Sequence, residues 1–152
     1  MGIPQKMKRI LLLLTLALSC SPKPQPINYG KDACDYCRMI ISDKRFGGEI
    51  VLKTGKVYKF DDIGCLINFF WENNFTEKDV AMFLVVDYKT GDLIDATKAF
   101  YIQSDKVHSP MAYDIAAFKN PEDAEGFLNK NGGSLMNWAQ INDLIRKQSK
   151  VR

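Results

Sequence analysis

Two helix starts set the plan of this chain. Asp61-Asp62 stands before an apolar run at residues 63–73, and Asn120-Pro121-Glu122-Asp123 opens a second helical stretch that ends near Gly132-Gly133. A short polar side chain accepts from the free amides of a first turn, proline suits the first helical position, and acids there complement the helix dipole. The segments around the two helices are β-rich. Residues 49–53 and 57–61 flank Thr54-Gly55 as a hairpin, and residues 81–87 form a nearly continuous apolar strand. Lys89-Thr90-Gly91 then turns the chain into residues 92–96. Residues 99–103 and 112–118 read as the next strands and residues 134–137 as a short one. Residues 138–147 read as a terminal helix with Ile141, Leu144 and Ile145 on one face. Strand-strand-helix-strand thus occurs twice. The expected class is α+β, with two similar ββαβ units at about 39–90 and 91–137, small antiparallel or mixed sheets, and a C-terminal helix.

The N-terminus is built for export. Lys6, Lys8 and Arg9 precede an apolar run at residues 10–18, and Ala17-Leu18-Ser19 leads into Cys20. A basic start, a short apolar core and small residues before a cut site describe a secretory signal, here residues 1–19. The run is far shorter than the roughly 20 residues that span a bilayer. Cysteine at the first mature position marks a bacterial lipoprotein, although Ala17 stands where a lipobox usually has leucine. Cys20 is therefore the expected lipidation site and would anchor the protein to a membrane. Pro22, Pro24 and Pro26 make residues 20–31 an expected stiff tether to a folded domain at 32–152. Three of the 21 Lys and Arg precede Cys20, which leaves 18 cations against 18 acids in the remainder. A neutral remainder gives no footprint for nucleic acid.

Lipidation of Cys20 leaves Cys34, Cys37 and Cys65, an odd number for a disulfide framework. Three readings compete for Cys34-x-x-Cys37-x-Met39. A redox pair usually follows a strand and opens a helix, whereas this one follows the proline segment and precedes a β-branched run. A structural disulfide or zinc half-site meets the objection that tetrahedral zinc needs two further ligands and no second paired motif exists. Two thiolates and a thioether suit a soft cation, Cu(I) before others, and this reading is preferred. Spacing alone leaves Met39 open between ligand and core residue. Cys65 beside Leu66 and Ile67 reads as a small buried hydrophobe, Met82 as core, and Asp61-Asp62 as a helix cap with an exposed neighbour. His108, three residues before Met111, stands in an expected loop. On these assignments Cys37→Ser weakens metal binding far more than Cys65→Ser. No arrangement for hydrolysis or phosphoryl transfer is evident, so no enzyme activity is expected.

Taken in order, Cys34-x-x-Cys37-x-Met39, Phe60-Asp61-Asp62-Ile63-Gly64-Cys65, Ser109-Pro110-Met111 and Ala117-Phe118 resemble the NosL family, copper-binding lipoproteins encoded with nitrous oxide reductase. The resemblance covers about residues 32–127. It implies a periplasmic Cu(I) chaperone that loads nitrous oxide reductase together with its membrane assembly machinery. Transfer would proceed by ligand exchange. It nominates Cys37 and Met39 as leading ligands with Cys34 beside them, then Met111, and more weakly His108. The rivals are an extracytoplasmic thiol-disulfide oxidoreductase using Cys34 and Cys37, and a structural lipoprotein. One departure stands out: the family commonly has glycine where this chain has Arg38.

Overall fold

The computed structural model describes residues 21–151, so the expected signal peptide and Cys20 lie outside the described residues. Among the described residues, two antiparallel sheets and three helices make up the fold. The first sheet has the order β2-β1-β3-β4, formed by β1 (Gly48–Leu52), β2 (Val57–Phe60), β3 (Val80–Val86) and β4 (Leu93–Asp95). Helix α1 (Ile63–Glu72) connects β2 to β3. The second sheet has the order β6-β5-β7, formed by β5 (Phe100–Gln103), β6 (Ile115–Phe118) and β7 (Ser134–Met136). Helix α2 (Pro121–Asn131) connects β6 to β7, and α3 (Trp138–Ser149) closes the chain. Strand-strand-helix-strand therefore occurs twice, as the sequence pattern predicts. Strand β4 pairs with β3 and so extends the first sheet. Among the described residues, no helix is long and apolar enough to cross a membrane.

Alternation along the second sheet divides the interior. Tyr101, Ile115 and Ala117 face the larger core with α1 and α3, while Ile102, Ala116 and Phe118 face a smaller core with Phe46, Val107 and Ala124. Successive strand residues point to opposite faces, so one sheet separates two cores. Helix α1 lies in the larger core and buries every residue from Ile63 to Phe70. Helix α2 fully buries only Ala124, with Phe127 and Leu128 half-buried against the smaller core. Ile141 and Ile145 of α3 enter the larger core. The Trp71 ring lies under Arg146 at 4.2 Å, and its indole nitrogen donates to Asn142. A capping box between Asn137 and Gln140 starts α3.

Three expectations change. Strand β6 begins at Ile115 rather than 112, because Ala112 and Asp114 adopt φ of 55° and 58°, in the left-handed region where a strand cannot run. Met82 is only half-buried and lines a shallow groove beside Leu84 and Trp138: Phe83 and Val85 face the larger core, so alternation puts Met82 on the other face of β3. The proline segment does not stand clear of the domain. Gln25 N donates to Glu49 Oε2 (3.2 Å), Pro26 O accepts from Lys59 Nζ (2.8 Å), and Ile27 packs against the larger core. From Gln25 onward the segment is a strap across the first sheet.

Candidate metal centre

The stretch 28–41 is a tight loop docked on the open edge of β2. Asn28 O accepts from the amides of Lys31 and Asp32, and an antiparallel bridge joins Ala33 to Ile40. Cys34 N donates to Met39 O (2.8 Å), and Arg38 N donates to Cys34 O (3.0 Å). This turn forces Arg38 to φ 68°, a conformation that glycine adopts without steric penalty. Asp35 N donates to Lys59 O (2.8 Å), and the Asp35 carboxylate accepts from Lys59 N (2.7 Å). Tyr36 donates to Glu72 Oε1 (2.7 Å) at the far end of α1. The loop is thus held against both β2 and α1.

That docking brings Cys34 and Cys37 to the turn between β2 and α1. The ligand atoms of Cys34, Cys37, Asp61 and Cys65 all lie within 4.8 Å of one another. Cys34, Asp61 and Cys65 are buried and Cys37 is half-buried, so Cys37 marks the open side. The Cys37 thiol donates to both carboxylate oxygens of Asp61 at 3.4 Å. Asp61 is only 1% exposed, which corrects its reading as an exposed neighbour of the cap. It is the turn residue that faces the thiols, while Asp62 takes the cap. Cys65 is buried as expected, but it joins the cluster instead of serving only as packing. These two positions also remove the objection to zinc, since they add a third thiol and a carboxylate.

The three thiols share protons unequally. The Cys65 thiol and the amides of Asp61, Cys37 and Tyr36 stabilise the Cys34 thiolate, and its pKa falls to about 7. Burial first, then the neighbouring Cys34 and Asp61, pushes Cys37 up to about 12, against the favourable amide of Met39. The hydrogen bond that Cys65 gives to Cys34, with burial, raises the Cys65 pKa further still. One low-pKa thiolate supported by two protonated thiols is an electron-rich, soft donor set.

Asp62 organises the second wall. Its Oδ1 caps α1 by accepting from Gly64 N (2.9 Å), and its Oδ2 accepts from Met111 N (3.0 Å). Ser109 also hydrogen-bonds the carboxylate. Burial raises the Asp62 pKa, and these three donors oppose the rise. The Asp-Asp and Ser-Pro-Met motifs, distant in sequence, are therefore one hydrogen-bonded unit. Tyr113 continues the same loop and packs on Gly64, where a Cβ would lie 2.1 Å from the ring.

Of the sequence-predicted ligands, Cys34 and Cys37 converge. Met39 does not pack in the core: it is 49% exposed, two residues past Cys37. Met111 is half-buried against the larger core, with its amide fixed by Asp62. His108 is exposed in its loop and does not join the thiol cluster. Cys20 lies outside the described residues. Sequence reasoning missed Cys65 and Asp61, for which the odd thiol count was the available signal.

Comparison with known proteins places this geometry in context. The NosL family model matches residues 26–145. The copper-binding lipoprotein NosL of Stutzerimonas stutzeri is 26% identical over 129 residues, covering 80% of this chain and 67% of that protein. The crystal structure of the copper chaperone NosL from Shewanella denitrificans superposes with a TM-score of 0.67 at 24% identity, covering 78% of this chain and 94% of that one. That likeness bears on the fold.

Proposed function

This chain belongs to the NosL family, and from that premise we propose that it is an exported, lipid-anchored copper chaperone that carries Cu(I) as cargo. The observation that carries the reading is the convergence of three free thiols and one carboxylate within 4.8 Å. In this account Cys34 and Cys65 form the floor of the site. Cys37 closes it from the half-buried side as the third sulfur, and the exposed Met39 thioether is the sulfur that replaces a thiolate during exchange. Met111 is a further sulfur on the adjoining loop, and His108 is the weakest candidate. Low coordination by sulfur suits Cu(I) and leaves room for a recipient's ligand to enter before a donor sulfur leaves. Transfer is then ligand exchange, with no reaction performed on a substrate. The recipient proposed is nitrous oxide reductase, reached through its membrane assembly machinery. Cys20 would hold the protein to a bacterial membrane, facing the periplasm.

A second reading follows from Asp61. Three thiolates and a carboxylate also satisfy tetrahedral Zn(II). Anaerobic titration of the full chain against a chromophoric Cu(I) chelator, with and without competing Zn(II), separates the two. The chaperone reading expects one Cu(I) per chain, retained under excess Zn(II). It also expects losses of at least about 100-fold for both Cys37→Ser and Cys65→Ser, above the 10–100-fold of an outer-shell change. Zinc displacing copper, or wild-type affinity in both variants, would reject it.

A further inference from the structure

The strap and the metal loop meet at one side chain. Lys59 lies on β2, an edge strand, directly across from Glu49 of β1. Tyr58 and Phe60 on either side of it point into the larger core, so Lys59 points to the outer face that the strap crosses. Its ammonium donates to Pro26 O (2.8 Å) and to Asp32 Oδ2 (2.7 Å). Its backbone amide donates to the Asp35 carboxylate and its carbonyl accepts from Asp35 N. All of these partners belong either to the strap or to the loop that presents Cys34 and Cys37. The Lys59 side chain is 15% exposed and that of Asp32 23%, so the pairing is partly covered at the sheet edge. A hydrogen bond between two charged groups is roughly twice as strong as one between neutral groups.

The strap has a second fastening beside the first. Glu49, the cross-strand neighbour of Lys59, is buried, and its Oε2 accepts from Gln25 N. Its Oε1 has no partner among the described residues. Ile27 follows, with its side chain against Gly47 and the larger core. Asn28 then hands the chain to Asp32, the same carboxylate that Lys59 holds, through its amide (2.9 Å). The path from strap to metal loop is therefore continuous: Pro26 to Lys59 to Asp32, and Lys59 to Asp35 beside Cys34.

We propose that Lys59 is a positioning residue for metal binding, through which the docked strap holds the Cys34–Cys37 loop in the geometry that meets Asp61 and Cys65. The strap is thereby part of the metal site although it contributes no ligand. With Lys59 uncharged or the strap undocked, the loop keeps its local turns but loses its fixed distance from the β2–α1 turn, and the three sulfurs no longer stay within reach together. This rests on the copper reading above.

The test uses the full chain, reduced and anaerobic, with Cu(I) as the probe and a chromophoric chelator as competitor. Lys59→Met is expected to weaken Cu(I) binding at least tenfold, and Lys59→Arg to stay within about threefold of wild type. Hydrogen exchange is expected to accelerate at the amides of residues 32–41, with little change in α3. A second variant replaces Gln25-Pro26-Ile27 by Gly-Ser-Gly and keeps both Lys59 and Asp32. It is expected to weaken binding in the same direction and decides the matter if Lys59→Met does not fold. Affinity within twofold of wild type in these variants would overturn the proposal while leaving the copper reading intact. A wild-type chain that takes no Cu(I) would overturn both.

Discussion

Between β2 and α1 the chain turns through Asp61-Asp62, and between β6 and α2 it turns through Lys119-Asn120. The two turns occupy the same place in the two ββαβ units and do different things. In the first, Asp62 caps its helix and grips the Ser109-Pro110-Met111 loop of the second unit, while Asp61 faces three thiols. In the second, Asn120 makes no side-chain cap bond, and the turn is steadied by Asp87, which accepts from Lys119 N (3.4 Å). The first helix is buried along most of its length and the second only at Ala124. One architecture thus serves two ends. The first unit supplies the carboxylates that organise both turns, and burial there is tolerated because amides and thiols satisfy each oxygen. The second unit supplies a wall and a loop. The chemistry follows the turn and the docked N-terminal loop, not the repeat.

The largest expected effect comes from pH and concerns the first unit alone. With Cys34 at about 7 and Cys37 at about 12, and Cys65 above it, the metal-free cluster holds two protons across the neutral range and three below about pH 7. Binding by three thiolates must expel them. Cu(I) affinity should therefore rise about two decades per pH unit above pH 7 and about three below it, measured by competition titration at several pH values. A slope lower by one throughout would mean that a thioether replaces a thiolate. Next in size is Gly64→Ala, which drives a methyl into the Tyr113 ring and should cost about 2 kcal/mol by overpacking. Its counterpart Glu122→Ala on the exposed face of α2 should stay within about 0.5 kcal/mol in the same urea titration. Asp62→Ala removes a cap and the anchor of the Met111 loop, and should cost about 1–2 kcal/mol. Asn120→Ala, with no cap bond to lose, should be nearly silent by thermal unfolding. The smallest effect expected in the first unit is a gain. Arg38→Gly relieves a left-handed backbone at φ 68° and should stabilise the chain by about 0.5 kcal/mol, part of the relief being offset by greater freedom of the unfolded chain.

Much of this contrast was legible before folding. Asp62 before Ile63 and Asn120-Pro121 gave both helices within a residue or two, because caps and proline act locally. Cys34 and Cys37 were legible for the same reason, being three residues apart on one turn. Cys65 and Asp61 were not, since only the docking of the N-terminal loop on the β2 edge brings them to that turn. Local pattern cannot report such a pairing. The strap was hidden likewise: prolines predict an extended segment correctly but do not say that Glu49 and Lys59 hold it down. Arg38 shows the converse case, where the position at which the resemblance implies glycine has a positive φ.

The central claim is that the metal is held in the first unit by the sulfurs of Cys34, Cys37 and Cys65. X-ray absorption of the Cu(I)-loaded full chain, compared with its Cys65→Ser variant, tests it most directly. The account predicts a sulfur-only shell of three that drops by one sulfur in the variant. An imidazole in the wild-type shell, or a shell that Cys65→Ser leaves unchanged, would contradict it.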